Sequence, residues 1–302
     1  KGYSDLAVAY VSGQMVAATV DQSGEVSLQF SYRAQITRTL QASRDSAFKA
    51  LVLPSARTSG QTEFNEPFRS VALHATDTKG QLELVGLTDN GLYHAFFQVD
   101  ARLSGAADWK KLADVSGARW VRSLGWGNGY VLGSLKGEVW QGSSSDSGFS
   151  LSPLPSAVGS GGWLLSISAY LGHAGKLRIA ALTQEGPEAA PKVQMYHQYS
   201  ASSTVGTWEP LALAFPNGET PVALALSGLA ETPSGYLEES RRRAMLSVDG
   251  YFTESVGEGT EVRRLLLVCK NERGFHLRGV QRWVSGTPAI SQFPWFYSGP
   301  SN

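Results

Sequence analysis

The feature that most constrains this chain is a recurring unit. A short apolar strand is followed by a second strand, a tight-turn signal and a third strand, at roughly 40 to 50 residues per copy. The first copy runs from Asp5 to Tyr10, then Gln14 to Val20, a turn at Ser23-Gly24, and Val26 to Tyr32. The second uses Ser70 to His74, Gln81 to Leu87, the turn Asn90-Gly91 and Leu92 to Phe97, closing near Trp109. A third takes Trp120 to Gly125, Tyr130 to Ser134 and Glu138 to Gln141, and a fourth Leu164 to Tyr170, Lys176 to Leu182 and Val193 to Tyr199 before Trp208. The fifth is less regular, with Pro221 to Ser227, an insertion around Glu238 to Arg243 and then Ala244 to Val248, and a last unit spans Arg263 to Trp283. Asn or Asp before Gly, as at Asn90-Gly91, Asn128-Gly129 and Asp249-Gly250, tolerates the positive φ of hairpin turns, and Lys136-Gly137 is a further turn signal. Multi-strand units of this length are the mark of propeller blades, which protect their edges by radial repetition. The expectation is an all-β, six-bladed β-propeller filling residues 1–302 as a single domain. The Ser- and Gly-rich tract Gly142 to Gly162 is read as a long connection between blades. A large β-sandwich, or two of them, repeats strands at similar spacing and is the competing architecture.

Composition narrows the function classes. Apolar residues make up 42% and charged residues 17% of 302, enough for a core and too few charges for a disordered chain. Twenty-six Lys plus Arg against twenty-six Asp plus Glu leave no net charge, so the electrostatic attraction that nucleic-acid binding depends on is missing. Nucleic acid is not an expected partner. The longest apolar run, Arg263 to Cys269, is far short of the roughly 20 residues of a membrane-spanning helix, so no membrane span is expected. The segment after Lys1 already alternates like a strand, which argues against a targeting peptide within the chain, and no compartment is fixed. Cys269 lies in that apolar run and reads as a buried, inert thiol. His74, His94, His173, His197 and His276 show no ligand spacing, so neither a metal nor another cofactor is expected. There is no Gly-x-Ser-x-Gly elbow, Ser143 to Ser145 reads as a flexible loop, and Gly125 to Gly129 as a blade turn. Arg241 to Arg243, after Glu238-Glu239, reads as a solvated loop.

The repeat resembles the blade of the six-bladed fungal fucose-binding lectins in spacing across most of the chain. In that family an Arg on the second strand, a Glu on the third and aromatic residues hold a sugar between neighbouring blades. Arg178 in the fourth unit fits the Arg position, whereas Met15 occupies it in the first and Leu82 or Glu83 in the second. The Glu position reads Leu28, His94 and Leu277. The chain is also similar, in length, low charge and degenerate blades, to the fungal hetero-Diels-Alderases of tropolone sesquiterpenoid pathways, which use the same scaffold.

Residues ending the inner strands are expected at the channel mouth, and they include Tyr10, His74, Arg122, Trp126, Trp163 and Tyr170. Such a set makes an aromatic pocket with few polar groups, suited to a mostly apolar small molecule. The second resemblance implies a cofactor-independent pericyclase that joins a quinone methide to an apolar terpene. His74, Arg122 or Tyr170 would then donate a polarising hydrogen bond, while Tyr10, Trp126 and Trp163 hold the reactants in a near-attack pose. The first resemblance implies the alternative, a carbohydrate-binding lectin with sugar sites between blades.

Overall fold

The computed structural model describes residues 3–11, 14–30, 49–52, 66–99, 108–124, 129–145, 148–172, 175–198, 205–215, 218–230, 251–256, 259–280 and 290–292. These form five sheets. The first takes β1 (Tyr3–Val11), β2 (Gln14–Asp21), β3 (Val26–Phe30) and β4 (Lys49–Val52), and the second β5 (Ser70–Ala75), β6 (Gln81–Leu87), β7 (Gly91–Gln98) and β8 (Lys110–Asp114). The third takes β9 (Ala118–Ser123), β10 (Gly129–Ser134), β11 (Val139–Ser145) and β12 (Gly148–Leu154), and the fourth β13 (Trp163–Leu171), β14 (Leu177–Gln184), β15 (Lys192–Gln198) and β16 (Gly206–Leu211). In each of these four, chain neighbours are sheet neighbours, which is the meander of a propeller blade. The fifth comprises β17 (Thr220–Ala230), β18 (Tyr251–Val256), β19 (Gly259–Asn271), β20 (Gly274–Val280) and β21 (Ile290–Gln292).

The chain is all-β and of β-propeller type, with five blades among the described residues and not the expected six. The correction has a definite cause. β17 pairs directly with β19, from Thr220 opposite Lys270 to Ala230 opposite Glu261, so the units read separately as the fifth and the last share one sheet. β18 pairs with the first part of β19 and β20 with its second part. The stretch Ala244 to Val248, read as a strand of the fifth unit, lies outside the described residues. A second correction concerns Gly142 to Gly162, which is no simple connection. β11 continues through Ser145, and β12 follows from Gly148, completing the third blade.

By internal packing the chain divides into two compact units, Lys1–Leu132 with Gln141–Leu151, and Gly133–Trp140 with Ser152–Asn302. The core of the first draws on Val16, Ala18 and Val20 of β2, Val71 and Leu73 of β5, and Leu82 and Leu84 of β6. The second buries Ala180 and Leu182 of β14, Leu224 and Leu226 of β17, and Leu265, Leu267 and Cys269 of β19. These sets all step by two, as strands that turn one face to a core require. The central strands β6, β10 and β14 are buried along nearly their whole length on both faces, so any polar side chain there must find a partner inside.

Within each unit, the first strands of successive blades are joined by side chains that accept backbone N–H groups. Asp5 Oδ2 of β1 accepts from Val71 N at 3.1 Å, and Ser70 Oγ of β5 accepts from Val121 N at 3.0 Å. In the second unit Ser168 Oγ of β13 accepts from Leu226 N at 3.0 Å and Ser166 Oγ from Leu224 N at 3.4 Å. First strands of neighbouring blades belong to separate sheets and share no ladder, so a short oxygen-bearing side chain satisfies donors that would otherwise be buried without a partner.

The turn from β10 to β11 depends on one glycine. Gly137 has φ of 85°, and a Cβ placed there meets Val158 Cγ2 at 2.1 Å. Both the left-handed backbone and the contact oppose a side chain, so Gly137→Ala is expected to cost roughly 1–3 kcal/mol. Urea unfolding measures it, and a loss under about 0.5 kcal/mol, within ordinary surface variation, would contradict this account.

Candidate functional site

Three polar constellations stand out among the described residues, two in the first unit and one in the second. The first is built around Glu83. Its carboxylate sits in β6, a strand buried on both faces, and two hydrogen-bond donors and a third, closely placed imidazole, from three other strands, converge on it. His94 Nδ1 of β7 lies 2.7 Å from Oε1, the Tyr130 hydroxyl of β10 donates to Oε2 at 2.6 Å, and His74 Nε2 of β5 is 3.2 Å from Oε2. His74 and Glu83 are direct register partners, while His94 pairs with Val85 and so reaches Glu83 on the diagonal. Glu83, His74 and Tyr130 are buried, and His94 is partly exposed, its ring edge-on to Phe96 at 5.0 Å. Burial alone would raise the Glu83 carboxyl, but the hydrogen bonds from His94 and Tyr130 and the attraction of His74 and His94 offset it, and the net direction is down. The Tyr130 hydroxyl moves the other way, pushed up first by burial and then by the Glu83 charge beside it. This hub is a fixed, ionised carboxylate that orients its partners.

The second constellation joins three first strands. Arg122 of β9 grips Asp5 with both terminal nitrogens, Nη1 to Oδ2 at 2.8 Å and Nη2 to Oδ1 at 3.0 Å, and its Nη1 also donates to Ser70 Oγ at 3.1 Å and to Val121 O at 2.8 Å. Ser70 Oγ in turn donates to Asp5 Oδ2. Arg122 therefore secures the joint between first strands described above.

The third is a cleft of about 460 Å³ at the turn end of the β19–β20 hairpin, lined by Gly218, Glu219, Asn271, Glu272, Arg273, His276 and Arg278. Asn271 shapes the turn, its Oδ1 accepting from Arg273 N at 2.8 Å and from His276 Nε2 at 3.1 Å. Arg278 and Glu219 form a buried two-point ion pair, with Nε donating to Oε2 at 2.7 Å and Nη2 donating to Oε1. The hydrogen bond to Glu219 holds the guanidinium above its ordinary value against the opposing effect of burial. Arg278 Nη1 is buried and has no hydrogen-bond partner among the described residues.

The six residues expected at the channel mouth are distributed as follows. His74 belongs to the Glu83 hub and Arg122 to the Asp5 joint, so these two lie in the same unit but in separate networks. Tyr10 is in β1, opposite Met15. Trp126 lies outside the described residues. Trp163 opens β13, half-exposed at 37% and opposite Gln184, whereas Tyr170 near the other end of that strand is buried in the core of the second unit, opposite Arg178. Seven steps along the strand separate the two, roughly 23 Å of extended chain. Cys269 is fully buried, and burial, with Glu219 adding to it, pushes its thiol up to about 12. Among the described residues no group of three or more His, Cys, Asp or Glu is placed to hold a metal ion, and no helix is long and apolar enough to cross a membrane.

No family model and no curated protein matches the chain. Among solved structures it is similar to the fucose-specific lectin from Aleuria aurantia, at 11% identity and a TM-score of 0.49, over 96% of this chain and 78% of that one. It is also similar to a chain of the COPII outer coat vertex on membranes, at 12% identity and a TM-score of 0.45, over 92% of this chain and 60% of that one. At these identities no ligand follows from either likeness.

Proposed function

We propose that this chain is a carbohydrate-binding module whose sugar site is the cleft at the β19–β20 hairpin. The observation that carries the reading is the composition of its wall. Acceptors (Glu219, Asn271, Glu272) and donors (Arg273, His276, Arg278) line the same space of about 460 Å³. A hydroxyl both donates and accepts, so a polyhydroxylated ring is the ligand that uses such a wall most fully, and the volume falls in the usual range for small-ligand sites. The pericyclase reading asks for an aromatic, mostly apolar wall. The described residues offer it Tyr170 in the core and Trp163 at the far end of the same strand, which favours the polar cleft.

The test is direct. Titration calorimetry against a panel of monosaccharides, fucosides included, is expected to find at least one binder. Arg273→Ala and His276→Ala are expected to weaken that binding by about tenfold each, as loss of a hydrogen bond to a polar ligand does, with the fold intact. A wild-type protein that binds no saccharide at millimolar concentration overturns the reading. Turnover of a quinone-methide precursor with humulene, reduced by Trp163→Ala, would restore the cycloaddition in its place.

A further inference from the structure

Resting on the sugar-site reading, we infer that the cleft selects a sugar that carries a carboxylate, an acidic monosaccharide of the uronic type. Arg278 has five N–H donors, of which Glu219 occupies those on the Nε and Nη2 side. The remaining arm, Nη1, is buried and unmatched among the described residues, in a side chain that is itself only 4% exposed and lines the cleft. A buried cationic donor without an acceptor is costly, and the group that relieves it best is an anion, which forms shorter and stronger hydrogen bonds than a neutral oxygen.

Access sharpens the choice. The nitrogen is sealed from solvent, so a ligand reaches it only by displacing wall atoms. A carboxylate offsets that displacement through a charge-assisted bond, whereas a hydroxyl gains too little. The charges around the cleft leave no net negative charge to repel a carboxylate. Glu219 is neutralised by Arg278, and Glu272 is balanced by its exposed neighbour Arg273. His276 is held by Asn271 through Nε2, which leaves Nδ1 as the ring atom that remains for a ligand. A guanidinium already gripped on one side by a carboxylate still presents its end to a second planar carboxylate, which can meet that fork with two parallel hydrogen bonds.

Calorimetry on the full chain with glucuronic acid, its methyl ester, glucose and glucose 6-phosphate separates the outcomes. The acid is expected to bind at least about tenfold more tightly than the ester or glucose, the margin of a charge-assisted bond over a neutral one. That margin is expected to shrink in Arg278→Lys if the variant folds. As a measure independent of folding, raising the salt concentration is expected to shrink the acid's advantage in the wild type while leaving the binding of glucose unchanged. Equal affinity for acid, ester and glucose overturns the inference and leaves the sugar site standing. Tighter binding of glucose 6-phosphate than of glucuronic acid also overturns it, in favour of a phosphate. Absence of binding by all four, together with silence across the monosaccharide panel, removes the site reading itself.

Discussion

Replacing Glu219 by alanine is expected to cost about 3–5 kcal/mol of stability, the usual result of stripping one partner from a buried ion pair. Both side chains are buried, and Glu219 is the only hydrogen-bond partner of the Arg278 guanidinium among the described residues. Without it a permanently charged group remains in the wall of the cleft with its donors unmatched, and the guanidinium does not shed its proton to escape the cost. The pair joins the segment entering β17 to β20, so the loss falls on the packing of the fifth blade. The double variant Glu219→Leu with Arg278→Met should recover most of the stability, because an apolar pair of similar volume avoids the desolvation that the ion pair must repay. Chemical unfolding of the three proteins checks both statements. A single variant that loses under about 1 kcal/mol would mean that water reaches Arg278 and that the pair is effectively a surface one.

Glu83→Ala is expected to be nearly as damaging, about 2–5 kcal/mol, by a different route. The Tyr130 hydroxyl would be left buried without its acceptor, and His74 and His94 would lose the carboxylate that holds them, each stranded group costing about 1–3 kcal/mol with partial relaxation. Tyr130→Phe removes one donor and leaves Glu83 with the two histidines, so it should cost clearly less. The hub also predicts an acid limb. The Glu83 carboxyl is held below its ordinary 4.5 in the folded protein, so its contribution is fully present above about that pH and is lost as pH falls through the folded value. The stability gap between wild type and Glu83→Gln should therefore be widest above pH 4.5 and close below it. A gap that stays constant from pH 6 to pH 3 would show that Glu83 is not ionised in the fold.

The repeat unit was legible because hairpin turns and two-residue alternation are local. Asn90-Gly91 and Lys136-Gly137 fall at the β6–β7 and β10–β11 turns, and the apolar steps of β2, β14 and β19 are the core faces. The blade count was not, because β17 and β19 are separated by an insertion and look like two units until their pairing is known. Ser143 to Ser145 reads as a loop by composition, yet the sheet continues through it, since neighbouring strands can override weak local preference. Glu83 carried a signal of its own, a charged residue inside the run Leu82, Leu84, Val85, where only a partnered carboxylate is tolerated. Glu219 and Arg278 lie 59 residues apart, and no spacing rule connects them.

The oxygen-bearing side chains that tie one first strand to the next also separate two scales of folding. Contacts inside a blade close short hairpins, whereas the ties from Asp5 to Val71, Ser70 to Val121 and Ser168 to Leu226 span 66, 51 and 58 residues. Loop-closure entropy grows only with the logarithm of length, about 0.6 kcal/mol for each doubling, so these long closures become affordable once the intervening blade has already shortened the effective loop. The topology therefore predicts an order of assembly, meanders first and their mutual registration afterwards, with topological distance setting the slow step. A serine at such a joint is thus expected to act on the late stage of folding, when the hydrogen bonds that tie it to the next first strand form.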